Sequence, residues 1–108
     1  MEEFVKIIND EEFNSKIENG SGIAVVDFFA TWCGPCKMLA PVFEEAAKDV
    51  GNKASFSKVD IDQCLELARK YGVSTVPTVM IFKDGKPVDK MVGFMPKQQI
   101  IEKINSNF

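Results

Sequence analysis

Residues 23–30, IAVVDFFA, form an apolar run with no polar alternation, interrupted only by Asp27. A strand written this way is covered on both faces, which places it inside a sheet flanked by helices. Upstream, FVKII (4–8) predicts a short strand, and Asn9-Asp10 caps a helix reaching about Asn19 and ended by Gly20 and Gly22. Downstream, Met38, Leu39, Val42, Phe43, Ala46, Ala47 and Val50 fall at helical spacing over residues 35–50, and Gly51 closes that helix. Pro41 lies inside it, lacks a backbone N–H and predicts a kink. SFSKVDI (55–61) predicts a strand, QCLELARKYG (63–72) a helix stopped by Gly72, and PTVMIF (77–82) another strand. Lys83-Asp84-Gly85-Lys86 carries the Asp-Gly hairpin signal, so a strand over about 88–93 should run antiparallel to its predecessor. Pro96 then opens a final helix with Ile100, Ile101 and Ile104 on one face. The order is βαβαβαββα, an α/β chain whose mixed sheet of about five strands lies between two helical layers.

A length of 108 residues with 45% hydrophobic content fits a single domain over residues 1–108, and no internal repeat or linker divides it. Thirteen Lys and Arg against sixteen Asp and Glu leave a net charge of −3, with the basic residues thinly spread. Nucleic acid or an anionic membrane surface would need a basic footprint that this chain lacks. The opening MEEFVKIIND is acidic where a secretory signal would be basic, and no apolar run reaches membrane-spanning length. A soluble cytoplasmic protein is expected. Histidine is absent, which excludes Ser-His-Asp and Cys-His catalysis and any His-ligated metal within one chain. Three cysteines, an odd count, argue against a structural disulfide framework.

Two of those cysteines stand in WCGPC, residues 32–36. The motif follows a buried strand and precedes a helix, so Cys33 falls at a helix N-terminus and Pro35 in the first turn, where its missing N–H does no harm. Unpaired amides and the helix dipole there favour thiolate over thiol. Cys36 lies on the same helical face, within disulfide reach and one turn deeper, giving an exposed nucleophile and a shielded resolving thiol. A metal site is the competing reading, but it needs about four ligands and only Cys64 remains, so none is expected without carboxylates or a second chain. A cluster bridging two subunits and a pair of inert core cysteines are further alternatives. Gly-Pro at a strand-to-helix turn argues for exposure and against the last. Trp32 is either a packing residue or a contact surface for a polypeptide.

Asp27 would have to be desolvated within its apolar run, which raises a carboxyl pKa toward neutrality. Six residues before Cys33, and without histidine in the chain, it is the best candidate to handle the proton of Cys36; a satisfied structural aspartate is the alternative. Lys58, on the strand expected beside it, is a candidate countercharge or a solvated face residue. Asp60 and Asp62 read as strand-end and cap residues. Cys64, at the start of the third helix, reads as a passive thiol whose position could lower its pKa, with oxidative dimerisation or regulatory modification as alternatives.

VVDFFATWCGPCKMLAP, KVDID, YGVSTVPT, the Asp-Gly hairpin and Val92-Gly93 together make nearly the whole chain resemble the thioredoxin family. The resemblance implies the thioredoxin fold, a central mixed five-stranded sheet flanked by four helices. It also implies a protein-disulfide reductase, active as a monomer without a bound cofactor, that carries electrons from NADPH through thioredoxin reductase to client proteins with disulfides. Cys33 would attack, Cys36 would resolve the mixed disulfide, Asp27 would be the buried acid and Lys58 its partner. Pro77 would be a cis-proline facing the cysteines, with the backbone of Val76 pairing with substrate; Trp32, Gly34, Pro35, Val76, Gly93 and Phe94 would line the docking surface. Two positions depart from the pattern: Phe29 stands where many members carry a second tryptophan, and Thr75 where bacterial members often carry glycine. A protein-binding or chaperone subunit using the same groove without turnover is the competing function.

Overall fold

A computed structural model of the protein describes residues 4–108; Glu2 and Glu3, which contribute to the acidic opening read above, lie outside the described residues. The strands are β1 (Lys6–Ile7), β2 (Ile23–Phe29), β3 (Ala54–Asp60), β4 (Thr78–Lys83) and β5 (Lys86–Val92). The helices are α1 (Asp10–Phe13, continued by a wide π turn over Asn14–Glu18), α2 (Gly34–Val50), α3 (Leu65–Lys70) and α4 (Lys97–Asn105). In space the strands run β1-β3-β2-β4-β5, with β1, β3 and β2 parallel and β4 and β5 antiparallel to their neighbours.

The apolar run finds its explanation here. β2 is central, and all seven of its residues are buried. Ile23 and Val25 face a core built with Leu39 and Phe43 of α2 and Ile100 and Ile104 of α4. Ala24, Val26 and Phe28 face the opposite core, with Phe13 and Ile17 from the first helical segment and Leu67 of α3. Parallel strands need crossover helices, and these coat both faces of the sheet.

Local chemistry sets several boundaries. Asn9 caps α1 in a reciprocal capping box with Glu12. At the hairpin both Asp84 (φ 51°) and Gly85 (φ 85°) are left-handed, the turn that matches strand twist, and a Cβ on Gly85 would strike the Glu18 carbonyl. Asp84 Oδ1 accepts the Gly22 N–H at 2.7 Å, holding the start of β2 against the hairpin.

Other boundaries differ from expectation. β1 keeps only two paired residues of the five predicted, although Ile8 N–H still donates to the Lys58 carbonyl. The third helix begins at Leu65 instead of Gln63, because the N–H groups of Gln63 and Cys64 turn back onto the Asp60 carbonyl. As expected, α2 runs through Pro41, which is exposed, so water can serve the carbonyl that its missing N–H leaves free. Met38 is 62% exposed and lies outside the core face assigned to it; Leu39, Phe43, Ala46 and Ala47 complete the buried stripe without it.

Glu18 ties the two helices of the second layer together. Its carboxylate accepts from Lys70 Nζ at 2.6 Å, from Asn14 Nδ2 at 3.0 Å and from the Tyr71 hydroxyl. These donors hold its pKa down to about 2 from a usual 4.5. A depressed carboxyl contributes stability that is complete above its unfolded pKa and lost as pH falls through the folded one. Glu18→Gln should therefore destabilise the protein at pH 6, and that deficit should shrink between about pH 4.5 and 2, as measured by urea unfolding at each pH.

Candidate active site

The chain leaves β2 at Phe29 and enters α2 at Gly34, and Cys33 is the N-cap between them, in an extended conformation. Its Sγ accepts the N–H of Cys36 at 3.1 Å, the place a serine or aspartate oxygen usually fills. Pro35 occupies the first turn, where no intrahelical donor is required. Cys33 and Cys36 are joined as a disulfide, with Cα atoms 5.2 Å apart.

The expected contrast between an exposed and a shielded cysteine does not hold in this disulfide form. Cys33 is 4% exposed and Cys36 3%. Phe29 and Ala30 pack with both, and Ile61 and Val76 close over the cluster. What distinguishes the sulfurs is hydrogen bonding: Cys33 Sγ takes the helix amide and lies 3.6 Å from the Val76 carbonyl.

The opposite wall is the loop before β4. The Val76–Pro77 peptide bond is cis, and Pro77 is buried. Gly93, at φ 90°, donates its N–H to the Pro77 carbonyl at 2.8 Å and so brings the corner after β5 against this loop. Phe94 follows at that corner, exposed, as are Gly34 and Pro35 on the other side. Thr75 accepts the Thr78 hydroxyl on its carbonyl at 2.6 Å and keeps its own side chain outside the core.

Trp32 is 68% exposed, and its indole N–H donates to Asp62 Oδ2 at 2.9 Å. Asp62 is thus an anchor for the ring and not the helix cap expected; Cys64 occupies that cap position. Asp60, at the end of β3, accepts the Asp62 N–H at 2.9 Å. Sequence reasoning missed the Trp32–Asp62 bond because thirty residues separate its ends.

Asp27 is fully buried on the α2 side of β2, and neither carboxylate oxygen has a protein hydrogen-bond partner among the described residues. Burial raises its pKa from 3.8 to about 7, opposed more weakly by the charge of Lys58. Lys58 is its register partner on β3, yet the two form no ion pair within 4 Å among the described residues. The ammonium instead lies 4.4 Å from the centre of the Phe29 ring. Cys64 is buried, and its pKa is raised, by burial first and then by Asp10 and Asp60, which reverses the expectation drawn from its helix-start position. Among the described residues no group of three His, Cys, Asp or Glu side chains is arranged to hold a metal, and no helix is long and apolar enough to cross a membrane.

A bonded cysteine pair at a helix start does its chemistry by gaining and losing two electrons as the S–S bond opens and closes, which makes the protein a thiol–disulfide oxidoreductase. Comparison with known proteins agrees. The family model described as Thioredoxin matches residues 4–106. The chain is 52% identical over 100 residues to the protein named Thioredoxin of Staphylococcus epidermidis, covering 93% of this chain and 94% of that one. It is 51% identical, with the same coverage, to the protein named Thioredoxin of Staphylococcus aureus. The chain belongs to the thioredoxin family, with a reversible Cys33–Cys36 disulfide as its redox centre.

Asp27 makes a sharp prediction about stability. Because its folded pKa is raised, its ionisation in the buried site lowers stability progressively as pH rises from about 4 through 7. Asp27→Asn should therefore gain on the wild type by a few kcal/mol between pH 4 and pH 8, read from urea unfolding of the oxidised proteins. A gap that stays constant over that range removes the raised carboxyl from the account.

Proposed function

We propose that Cys33 is the attacking sulfur, that Cys36 resolves, and that Asp27 takes the proton that Cys36 must give up. The observation that carries this reading is the Cys36 N–H directed at Cys33 Sγ, which stabilises negative charge on that sulfur alone. In the reduced protein the Cys33 thiolate attacks a client disulfide; one client sulfur leaves as thiolate and a mixed disulfide remains. Cys36 passes its proton to the Asp27 carboxylate and attacks Cys33 Sγ, so the Cys33–Cys36 bond forms as the mixed disulfide breaks. The second client thiolate leaves and is protonated. Two electrons have moved to the client.

Clients are recognised as extended segments across the cis-proline loop, pairing with the backbone of Val76, while Trp32, Gly34, Pro35, Pro77, Gly93 and Phe94 form the surrounding surface. The exposure of Trp32 and Phe94 supports this reading, since contact surfaces concentrate aromatic residues. The protein works as a single-domain cytoplasmic monomer, re-reduced by thioredoxin reductase with NADPH, and holds no cofactor of its own. Its net charge of −3 and sparse basic residues support a protein client over nucleic acid or membrane.

Reduction of a protein disulfide, coupled to NADPH oxidation by thioredoxin reductase, tests the assignment. Cys33→Ser should lose turnover entirely, and Cys36→Ser should accumulate a covalent adduct with the client through Cys33, visible on a non-reducing gel. Full turnover in Cys33→Ser overturns it, and client binding without turnover in the wild type points to the non-catalytic binding subunit.

A further inference from the structure

The position of Lys58 is unexpected for a lysine beside a buried carboxylate. Asp27 and Lys58 are paired in register on adjacent parallel strands, so their side chains leave the same face of the sheet. A lysine side chain is longer than the roughly 4.8 Å between strands, and among the described residues the Asp27 oxygens have no protein hydrogen-bond partner. The ammonium nevertheless lies over the ring of Phe29, which leaves β2 on the same face two residues beyond Asp27.

Three environments compete for that ammonium: water, the ring face and the carboxylate. Pairing with Asp27 would take the ammonium out of water, a cost set against the strong attraction between opposite charges in a buried site. The ring face attracts it too, while Lys58 remains partly exposed. Phe29 itself is 8% exposed and packed with Ala30, Cys33 and Cys36, so its ring is a fixed surface.

We propose that Phe29 is a positioning residue: its ring seats the Lys58 ammonium beside Asp27 and not against it, leaving the carboxylate free to take up and release a proton during disulfide exchange. The proposal rests on the reading of Asp27 as the proton acceptor. A carboxylate clamped by an ammonium is a weak base, whereas one with a charge held nearby is moderated without being captured. On the elements around Asp27, Lys58 and Asp60 lie on β3 and Cys33 and Cys36 at the start of α2, and β4 presents Val79 opposite it; Lys37, Glu44, Glu45, Lys48 and Asp49 of α2 fall outside that helix's buried stripe, and Lys83 is exposed at the far end of β4.

The test is the titration midpoint of the Asp27 carboxyl carbon, followed by NMR in the oxidised protein. Phe29→Leu keeps apolar bulk but removes the π face, so Lys58 should close on Asp27 and lower the midpoint by about one pH unit. Phe29→Trp retains a π face and should keep the wild-type midpoint. In a Lys58→Met background, adding Phe29→Leu should move the midpoint no further. An unchanged midpoint in Phe29→Leu overturns the proposal, as does an equal shift with and without Lys58, which would mean that the ring acts through burial alone. Should Phe29→Leu fail to fold, the wild type still decides: the Lys58 ε-methylene protons must be shifted upfield by the ring, and ordinary lysine shifts overturn the proposal. Failure of the underlying reading shows separately, as wild-type resolution of mixed disulfides by Asp27→Asn at neutral pH.

Discussion

The site depends on a sulfur atom capping a helix. Cys33 Sγ stands where an oxygen would normally accept the first free amide of α2, and the Cys36 N–H meets it at 3.1 Å. That contact fixes the distance between the cysteines, points the positive end of the helix at one sulfur only, and gives the pair a polarity that solvent exposure does not supply. The rest of the structure serves to hold it. The buried end of β2 sets where α2 begins, and the cis Val76–Pro77 loop, tied to Gly93, supplies the facing wall.

Around this contact the protein carries a group that opposes its own stability. Asp27 interrupts the most deeply buried strand and, among the described residues, has no protein hydrogen-bond partner for either oxygen. A leucine or valine there would extend the core made by Ile23, Val25, Val79 and Ile81. The carboxylate lies on the face of β2 that carries the cysteine cluster at its end, so the cost falls beside the redox pair. Lys58 moderates that cost from a distance, held over the Phe29 ring.

What could be read from the sequence was what local pattern encodes. The uninterrupted run of β2, the Asn9 cap, the Asp84-Gly85 turn and the strand-to-helix placement of WCGPC each follow from neighbours within a few residues, and each has its counterpart in the structure. Asp27 was legible for the same reason, as a charge in an apolar run. What escaped was set by contacts across the fold. The Trp32–Asp62 bond and the seat of Lys58 join residues about thirty apart. The burial of Cys33 is completed by Ile61, which no helical or strand period places near residue 33. The later start of α3 reflects amides drawn to the Asp60 carbonyl, a competition that helical spacing does not reveal.

The most direct measurement is the rate at which each of the three cysteines of the fully reduced protein is alkylated at neutral pH, resolved by mass spectrometry. If a helix amide directed at one sulfur organises the site, Cys33 reacts first, and faster than Cys36 and Cys64 by more than about tenfold. Earlier modification of Cys36 or Cys64, or equal rates at all three, contradicts the account.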